Sequence, residues 1–216
     1  MNIDLYNYLN NAILPKYENN IGGHDAKHIQ YVVNRSYEII NEFNLSVNKD
    51  MVYTIAIFHD IGYSVNPDEH EKESADIFIQ DNEMKKYFTD EQRKTMYEAI
   101  IDHRASLEYE ARNIYGKIVS SADREISVKN MLIRSLRYQK DKHRSENPTL
   151  NDVIEYSFKK LSSKYSKENG YAKMYYKDQK YINYIDKINI LLNNKDLFVQ
   201  EEEKIAKEIN LFQQKR

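Results

Sequence analysis

Residues 51–62 read MVYTIAIFHDIG, an apolar stretch that runs directly into His59 and Asp60 and stops at Gly62. The pattern predicts a short buried helix over residues 48–61, with Gly62 as its natural end. Neighbouring residues lie about 100° apart around a helix, so His59 and Asp60 can reach one ion only where the helix ends. Burying such a pair is costly unless a cation compensates. The stretch therefore predicts two metal ligands inside the protein.

Two further candidate ligands lie on either side of this helix. Asp25 is placed to cap a helix that runs to about residue 43, so His28 falls in the first turn and can face inward. Asp123 follows an apolar stretch and three small residues, which allow close helix approach; taken alone, it is better explained as part of a surface ion pair with Arg124, but the four residues together favour a metal ligand. Because the chain has no cysteine, nitrogen and oxygen atoms must hold any metal. The predicted metal site has four ligands: His28, His59, Asp60 and Asp123.

The remainder of the chain reads as amphipathic helix. Only five glycines and three prolines are available to punctuate many short strands. We find neither period-two alternation between turns nor an internal repeat. The predicted fold class is therefore all-α, a helical bundle with a polar loop at 139–148. The predicted helices span residues 4–17, 25–43, 48–61, 70–80, 90–103, 113–138, 150–164, 171–193 and 199–212.

Length and composition limit the cellular context. At 216 residues, one domain is the default expectation. The first residues are polar, unlike a signal peptide, and no apolar run approaches the roughly 20 residues that cross a bilayer. We therefore expect a cytoplasmic protein without a membrane partner.

Charge is distributed unevenly along the chain. Residues 1–128 contain 13 Lys/Arg and 22 Asp/Glu, whereas residues 129–216 contain 19 and 12. An acidic, metal-bearing part beside a basic part suits an anionic ligand, although a solvated helical surface explains the asymmetry equally well. The basic residues are interspersed and lack an aromatic-plus-basic binding motif, so nucleic acid is not an expected partner.

Three segments carry a resemblance to a known family: HDAKHIQYVV at 24–33, AIFHDIG at 56–62 and KIVSSADR at 117–124. Together they resemble the HD-domain superfamily of metal-dependent phosphohydrolases over residues 22–128. The resemblance implies an all-helical core and the same four metal ligands. It also implies one HD-type domain over residues 1–216, in which 129–216 form a helical C-terminal extension similar to that of some bacterial members.

The sequence departs from one subgroup of that family. Members that hydrolyse cyclic dinucleotides continue His-Asp-Ile-Gly with lysine and carry a Gly-Tyr-Pro signature. Here Tyr63 follows Gly62, and the signature is absent. This departure argues against cyclic dinucleotides as substrates.

Two further histidines, His70 and His103, lie at predicted helix ends. In some HD proteins, histidines in such places bind a second metal or contact phosphate, so we predict that both act in catalysis with Asp60. The alternative is that they are exposed polar residues. Four residues close to the ligands in sequence are candidates for substrate binding, although surface charge is the simpler explanation for the three cations: His24, Lys27, Arg104 and Arg124.

The ligand set predicts a divalent ion, Mn²⁺, Fe²⁺, Ni²⁺, Co²⁺ or Mg²⁺, that activates water against a phosphate ester. One ion is expected and a second is possible. The expected substrate is a small phosphorylated molecule, a nucleotide by family analogy, with Tyr63 and Tyr109 available to stack on a base. Three other hypotheses stay open: a non-catalytic metal- and nucleotide-binding module, a nucleic-acid-binding protein, and a helical scaffold. The oligomeric state is not predicted.

Overall fold

A computed structural model describes residues 2–19, 24–165 and 174–212, and this part of the chain contains helices and no strand. The all-α prediction is confirmed. None of the described helices is long and apolar enough to cross a membrane. The α-helices are α1 (Ile3–Tyr8), α2 (Ala26–Glu42), α3 (Lys49–Phe58), α4 (His70–Gln80), α5 (Asp90–Ile101), α6 (Ile114–Ala122), α7 (Val128–Lys142), α8 (Leu150–Lys164), α9 (Gln179–Leu192) and α10 (Lys195–Glu208).

The chain divides into two compact units. The first comprises Met1–Arg124 and Lys173–Tyr176, and the second comprises Glu125–Ala172 and Lys177–Arg216. Each unit has its own apolar core, built from α1–α6 in the first and from α7–α10 in the second. That residues 1–216 make up one HD-type domain stays a prediction.

Helix α3 lies at the centre of the first unit. All residues from Met51 to Phe58 are buried, and the helix packs against α2, α5 and α6. It ends at Phe58 with His59 as its C-terminal cap, so the prediction that Gly62 stops the helix is wrong. Gly62 instead allows α4 to approach, because a Cβ atom there would lie 2.6 Å from the Ser74 nitrogen.

The predicted helix over 113–138 is two helices. Helix α6 ends at Ala122 with Asp123 as its cap, and α7 begins after Ser127, whose side chain accepts a hydrogen bond from the Asn130 amide. A serine that caps a helix competes with continued helix, and the apolar periodicity did not reveal this. The predicted loop at 139–148 is also partly wrong, because α7 continues to Lys142.

Three other helix predictions need correction. The helix predicted over 199–212 begins at Lys195 and ends at Glu208. The predicted helix over 4–17 is α-helical only to Tyr8, followed by a π-helical turn at Leu9–Ile13 and a 3₁₀ segment at Leu14–Asn19. Pro15 lies in that segment and has no amide to continue an α-helix. The helix predicted from residue 171 begins at Gln179, and residues 171–173 lie outside the described chain.

A later segment of the chain completes the first unit. The Tyr175 hydroxyl accepts a hydrogen bond from the Ala111 amide at 2.9 Å. The Ser121 hydroxyl accepts from the amides of Tyr175 and Tyr176 at 3.2 and 3.4 Å. Because Ser121 lies two residues before Asp123, this segment packs beside the end of α6 that carries a candidate ligand.

Candidate metal centre

Asp60 is the centre of the site. Its side chain follows the buried helix α3 and is itself almost fully buried. Five histidines surround its carboxylate, three at one oxygen and two at the other. From Oδ2 the distances are 2.7 Å to His24 Nδ1, 3.2 Å to His59 Nε2 and 3.5 Å to His28 Nε2; from Oδ1 they are 3.4 Å to Nε2 of both His70 and His103.

The first candidate ligand group draws on three helices. His28 lies in the first turn of α2, where the Asp25 side chain accepts hydrogen bonds from the backbone amides of Lys27 and His28. Asp123 caps α6, and its Oδ1 lies 3.0 Å from His28 Nε2 and 3.9 Å from His59 Nε2. With one atom from each residue, all four lie within 4.8 Å of one another: His28, His59, Asp60 and Asp123.

A second candidate group shares Asp60. His70 is the first residue of α4, and His103 lies two residues beyond the end of α5. One ligand atom each from Asp60, His70 and His103 also fall within 4.8 Å of one another. The two groups therefore meet at a single carboxylate, which presents a different oxygen to each.

Backbone carbonyls orient three of the imidazoles. In each case Nδ1 lies within hydrogen-bond distance of the carbonyl three residues earlier. A carbonyl oxygen can only accept, so Nδ1 carries the proton and the lone pair of a neutral ring is on Nε2, toward Asp60. The bonds are His59 to Ala56 at 2.9 Å, His70 to Pro67 at 3.0 Å and His103 to Ile100 at 2.6 Å.

The residues fit a divalent cation. Within the described chain, Nε2 of His28 and of His59 is buried without a hydrogen-bond partner, although carboxylate oxygens lie 3.0–3.9 Å away. Buried polar atoms are rarely left unsatisfied, so a shared cation is the simplest partner for both nitrogens. Imidazole and carboxylate ligands suit first-row transition metals.

The electrostatics keep both carboxylates ionised. Burial alone would raise the pKa of Asp60, but the surrounding imidazoles, His59 and His103 foremost, hold that pKa well below its usual range. Burial likewise opposes ionisation of Asp123, yet His28 and His59 lower its pKa to about 2. Burial disfavours a charged His28, but the neighbouring carboxylates of Asp123 and Asp60 raise its pKa to about 9.

The four candidate substrate-binding residues have different surroundings. His24 donates to Asp60 through Nδ1, and its ring stacks on Tyr63 at 3.8 Å between centroids. Arg124 is buried and donates to Asp123 Oδ2 at 3.2 Å and to Ser120 Oγ at 2.9 Å. Arg104 donates to Glu71 and to the Asp68 carbonyl, both at 2.7 Å. Lys27 is exposed.

Sequence reasoning missed two carboxylates beside the histidines. Glu71 follows His70 directly and binds Arg104. Asp102 precedes His103, is fully buried, and accepts hydrogen bonds from the guanidinium and the backbone amide of Arg112. Their position next to histidines was the available signal; their cationic partners become visible only in the folded chain.

Residues 26–126 match the family described as HD domain. The resemblance to the HD-domain superfamily is therefore confirmed over this part of the chain, which is 101 of its 216 residues. All members of both candidate ligand groups fall inside the matched residues, whereas His24 lies just before them. Comparisons with curated proteins and with solved structures give no match.

Proposed function

We propose that this protein is a metal-dependent phosphohydrolase with two divalent ions that share Asp60. The observation that carries the proposal is the division of the Asp60 carboxylate, whose Oδ2 faces His28 and His59 while its Oδ1 faces His70 and His103. One ion was the expectation from sequence. Backbone carbonyls orient the imidazoles of the second group in the same way, and this arrangement supports a second ion.

Bound divalent ions would lower the pKa of a water ligand and neutralise charge on a phosphate group. The protein itself fixes the positions of the side chains that would hold the ions. The backbone carbonyls that hold Nδ1 of His59, His70 and His103 keep each Nε2 directed at the site. Arg124 holds Asp123 in place, because it is fixed in turn by Ser120.

The proposed substrate is a small phosphorylated molecule, preferably a nucleotide. Family analogy is the main support. Tyr109, which is 46% exposed and whose hydroxyl donates to Asp102, is available for stacking on a base. The exposed Lys27, adjacent to His28, is available to bind an anionic group. A cytoplasmic location is part of this proposal and is supported by the absence of cysteine.

The proposed metals are Mn²⁺, Fe²⁺, Co²⁺ and Ni²⁺ ahead of Mg²⁺. Five imidazoles lie around Asp60, and imidazole nitrogen suits these transition metals better than the oxygen-preferring Mg²⁺.

The test is elemental analysis of the purified protein together with a screen of nucleoside mono-, di- and triphosphates with each ion. We expect about two transition-metal ions per chain and metal-dependent release of phosphate or pyrophosphate. His59→Gln should remove the ion of the first ligand group and abolish hydrolysis, so that metal content and turnover both fall. His143→Gln is the matched control, because His143 bonds Glu146 in the second unit and should leave both unchanged.

Two outcomes would contradict the proposal. Bound metal without cleavage of any phosphoester would favour the non-catalytic binding module. A His59→Gln protein with full metal-dependent turnover would show that the candidate centre is not the reacting site.

A further inference from the structure

One ion pair links the chain segments that carry His70 and His103. Glu71 follows His70, Arg104 follows His103, and Arg104 Nη1 donates to Glu71 Oε1 at 2.7 Å. The same nitrogen donates to the Asp68 carbonyl at 2.7 Å. Arg104 therefore binds one residue before the first residue of α4 and one residue after it.

We propose that the Glu71–Arg104 pair is a positioning device for the second metal ion, setting the separation of His70 and His103. The inference rests on the proposed two-ion centre. It assigns Arg104 to the placement of ligands, where the sequence suggested direct phosphate binding.

The two ligand groups differ in how their chain segments are anchored. His28 lies in a helix whose N-cap, Asp25, accepts two backbone hydrogen bonds. Helix α4, by contrast, begins at His70 after Glu69, whose side chain makes no capping bond. His103 lies beyond the end of α5 in a segment without regular helix. The second group thus depends more on side-chain cross-links.

The geometry makes this cross-link consequential. Nε2 of His70 and Nε2 of His103 each lie 3.4 Å from Asp60 Oδ1, and the ring centroids are 5.4 Å apart. Metal–nitrogen bonds are about 2.0–2.1 Å long, so a displacement of about 1 Å in either segment moves an imidazole out of bonding reach.

Charge alone and positioning predict opposite results for Arg104. Arg104 is a cation close to a proposed cation site, so removing its charge should tighten ion binding if only electrostatics mattered. If Arg104 positions the two segments, its removal should weaken the binding of the second ion. Glu71→Gln weakens binding under either explanation, so Arg104 is the informative position.

The experiment titrates Mn²⁺ into metal-free full-length protein, with calorimetry for affinity and electron paramagnetic resonance for coupled ion pairs. The wild type should bind two ions. In Arg104→Met we expect the second ion to bind 10- to 100-fold more weakly, the loss typical of residues that orient a metal ligand, with the first ion unchanged. The coupled-spin signal should fall accordingly. The charge-exchanged protein, Glu71→Arg with Arg104→Glu, should recover part of the second affinity.

Lys117→Met is the matched control, because Lys117 forms an exposed ion pair with Glu110 and neither residue adjoins a candidate ligand. It should bind both ions as the wild type does. Unchanged or tighter binding of the second ion in Arg104→Met would overturn the inference and leave the phosphohydrolase proposal standing. A wild-type protein that binds a single ion would overturn the two-ion centre and this inference together.

Discussion

Asp60 and Glu202 are both buried acids, one in each unit, and their surroundings give them opposite charge states. Asp60 is surrounded by imidazoles, which hold its pKa well below the usual range despite burial. Glu202, on α10, accepts a 2.6 Å hydrogen bond from Ser157 on α8. Burial raises the pKa of Glu202 to about 8, and this one bond only partly offsets the effect. Asp60 is therefore ionised at neutral pH and Glu202 is protonated.

The difference teaches that burial alone does not mark a functional carboxylate. Glu202 is fully buried, and its Oε2 has no hydrogen-bond partner in the described chain. Its hydroxyl neighbours, Ser157 and Ser135, lie 2.6 Å apart and supply no positive charge. What distinguishes Asp60 is the convergence of several potential metal ligands on one carboxylate.

The largest expected effect comes from removing the charge of Asp60. Because Asp60 belongs to both ligand groups, Asp60→Asn should weaken the binding of both ions. The expected loss of affinity is more than about 100-fold, which is the upper end of the range for residues that only orient a metal ligand. Elemental analysis after dialysis measures the loss. Asp141→Asn, an exposed change in the second unit, should leave metal content unchanged. An Asp60→Asn protein that retains one tightly bound ion would show that the carboxylate is not shared.

The second prediction concerns Glu202 and pH. Its folded-state pKa, about 8, is above the ordinary 4.5, so its contribution to stability is complete below pH 4.5 and is lost as pH rises through 8. Between pH 6 and pH 9 the wild-type free energy of unfolding should fall by about 3 kcal/mol relative to Glu202→Gln. Urea denaturation across this range measures it. Glu203→Gln, the same substitution at the neighbouring position, should follow the wild type; parallel curves for wild type and Glu202→Gln would contradict the assignment.

The smallest effect is expected from Ser157. Ser157→Ala removes the one described hydrogen bond to Glu202, which should cost about 1 kcal/mol at pH 6 and shift the pH-dependent loss of stability to higher pH. The same denaturation series detects both changes. Ser162→Ala on the same helix is the control, because the Ser162 hydroxyl has no hydrogen-bond partner in the described chain. A shift to lower pH would contradict this account of Glu202.

Local sequence signals predicted much of the fold. Helices α4 and α8 begin and end at the predicted residues, and the N-cap at Asp25 is confirmed. The failures occur where a local signal interrupts the apolar periodicity, as the capping Ser127 and Pro15 do. The division of 113–138 into α6 and α7 places Asp123 at a helix end, and apolar periodicity does not report such a break.

The sequence predicted which residues belong to the candidate site better than it predicted how they are arranged. Ligand chemistry identified His28, His59, Asp60 and Asp123, with His70 and His103 as possible additions. The sequence could not show that Asp60 turns a different oxygen to each group, since this depends on how α4 and α5 approach α3. Nor could it reveal that Arg104 meets Glu71, which is 33 positions away along the chain.

The segment that returns to pack on Ser121 has a practical consequence for dissecting the protein. The backbone leaves the first unit after Arg124, comes back for Lys173–Tyr176 and departs again. A single cut in the chain therefore cannot separate the two units intact. A fragment ending at Arg124 would forfeit the tyrosines that bond Ala111 and Ser121. If the first unit is expressed separately, it should include a short segment with these tyrosines, joined to it by a linker.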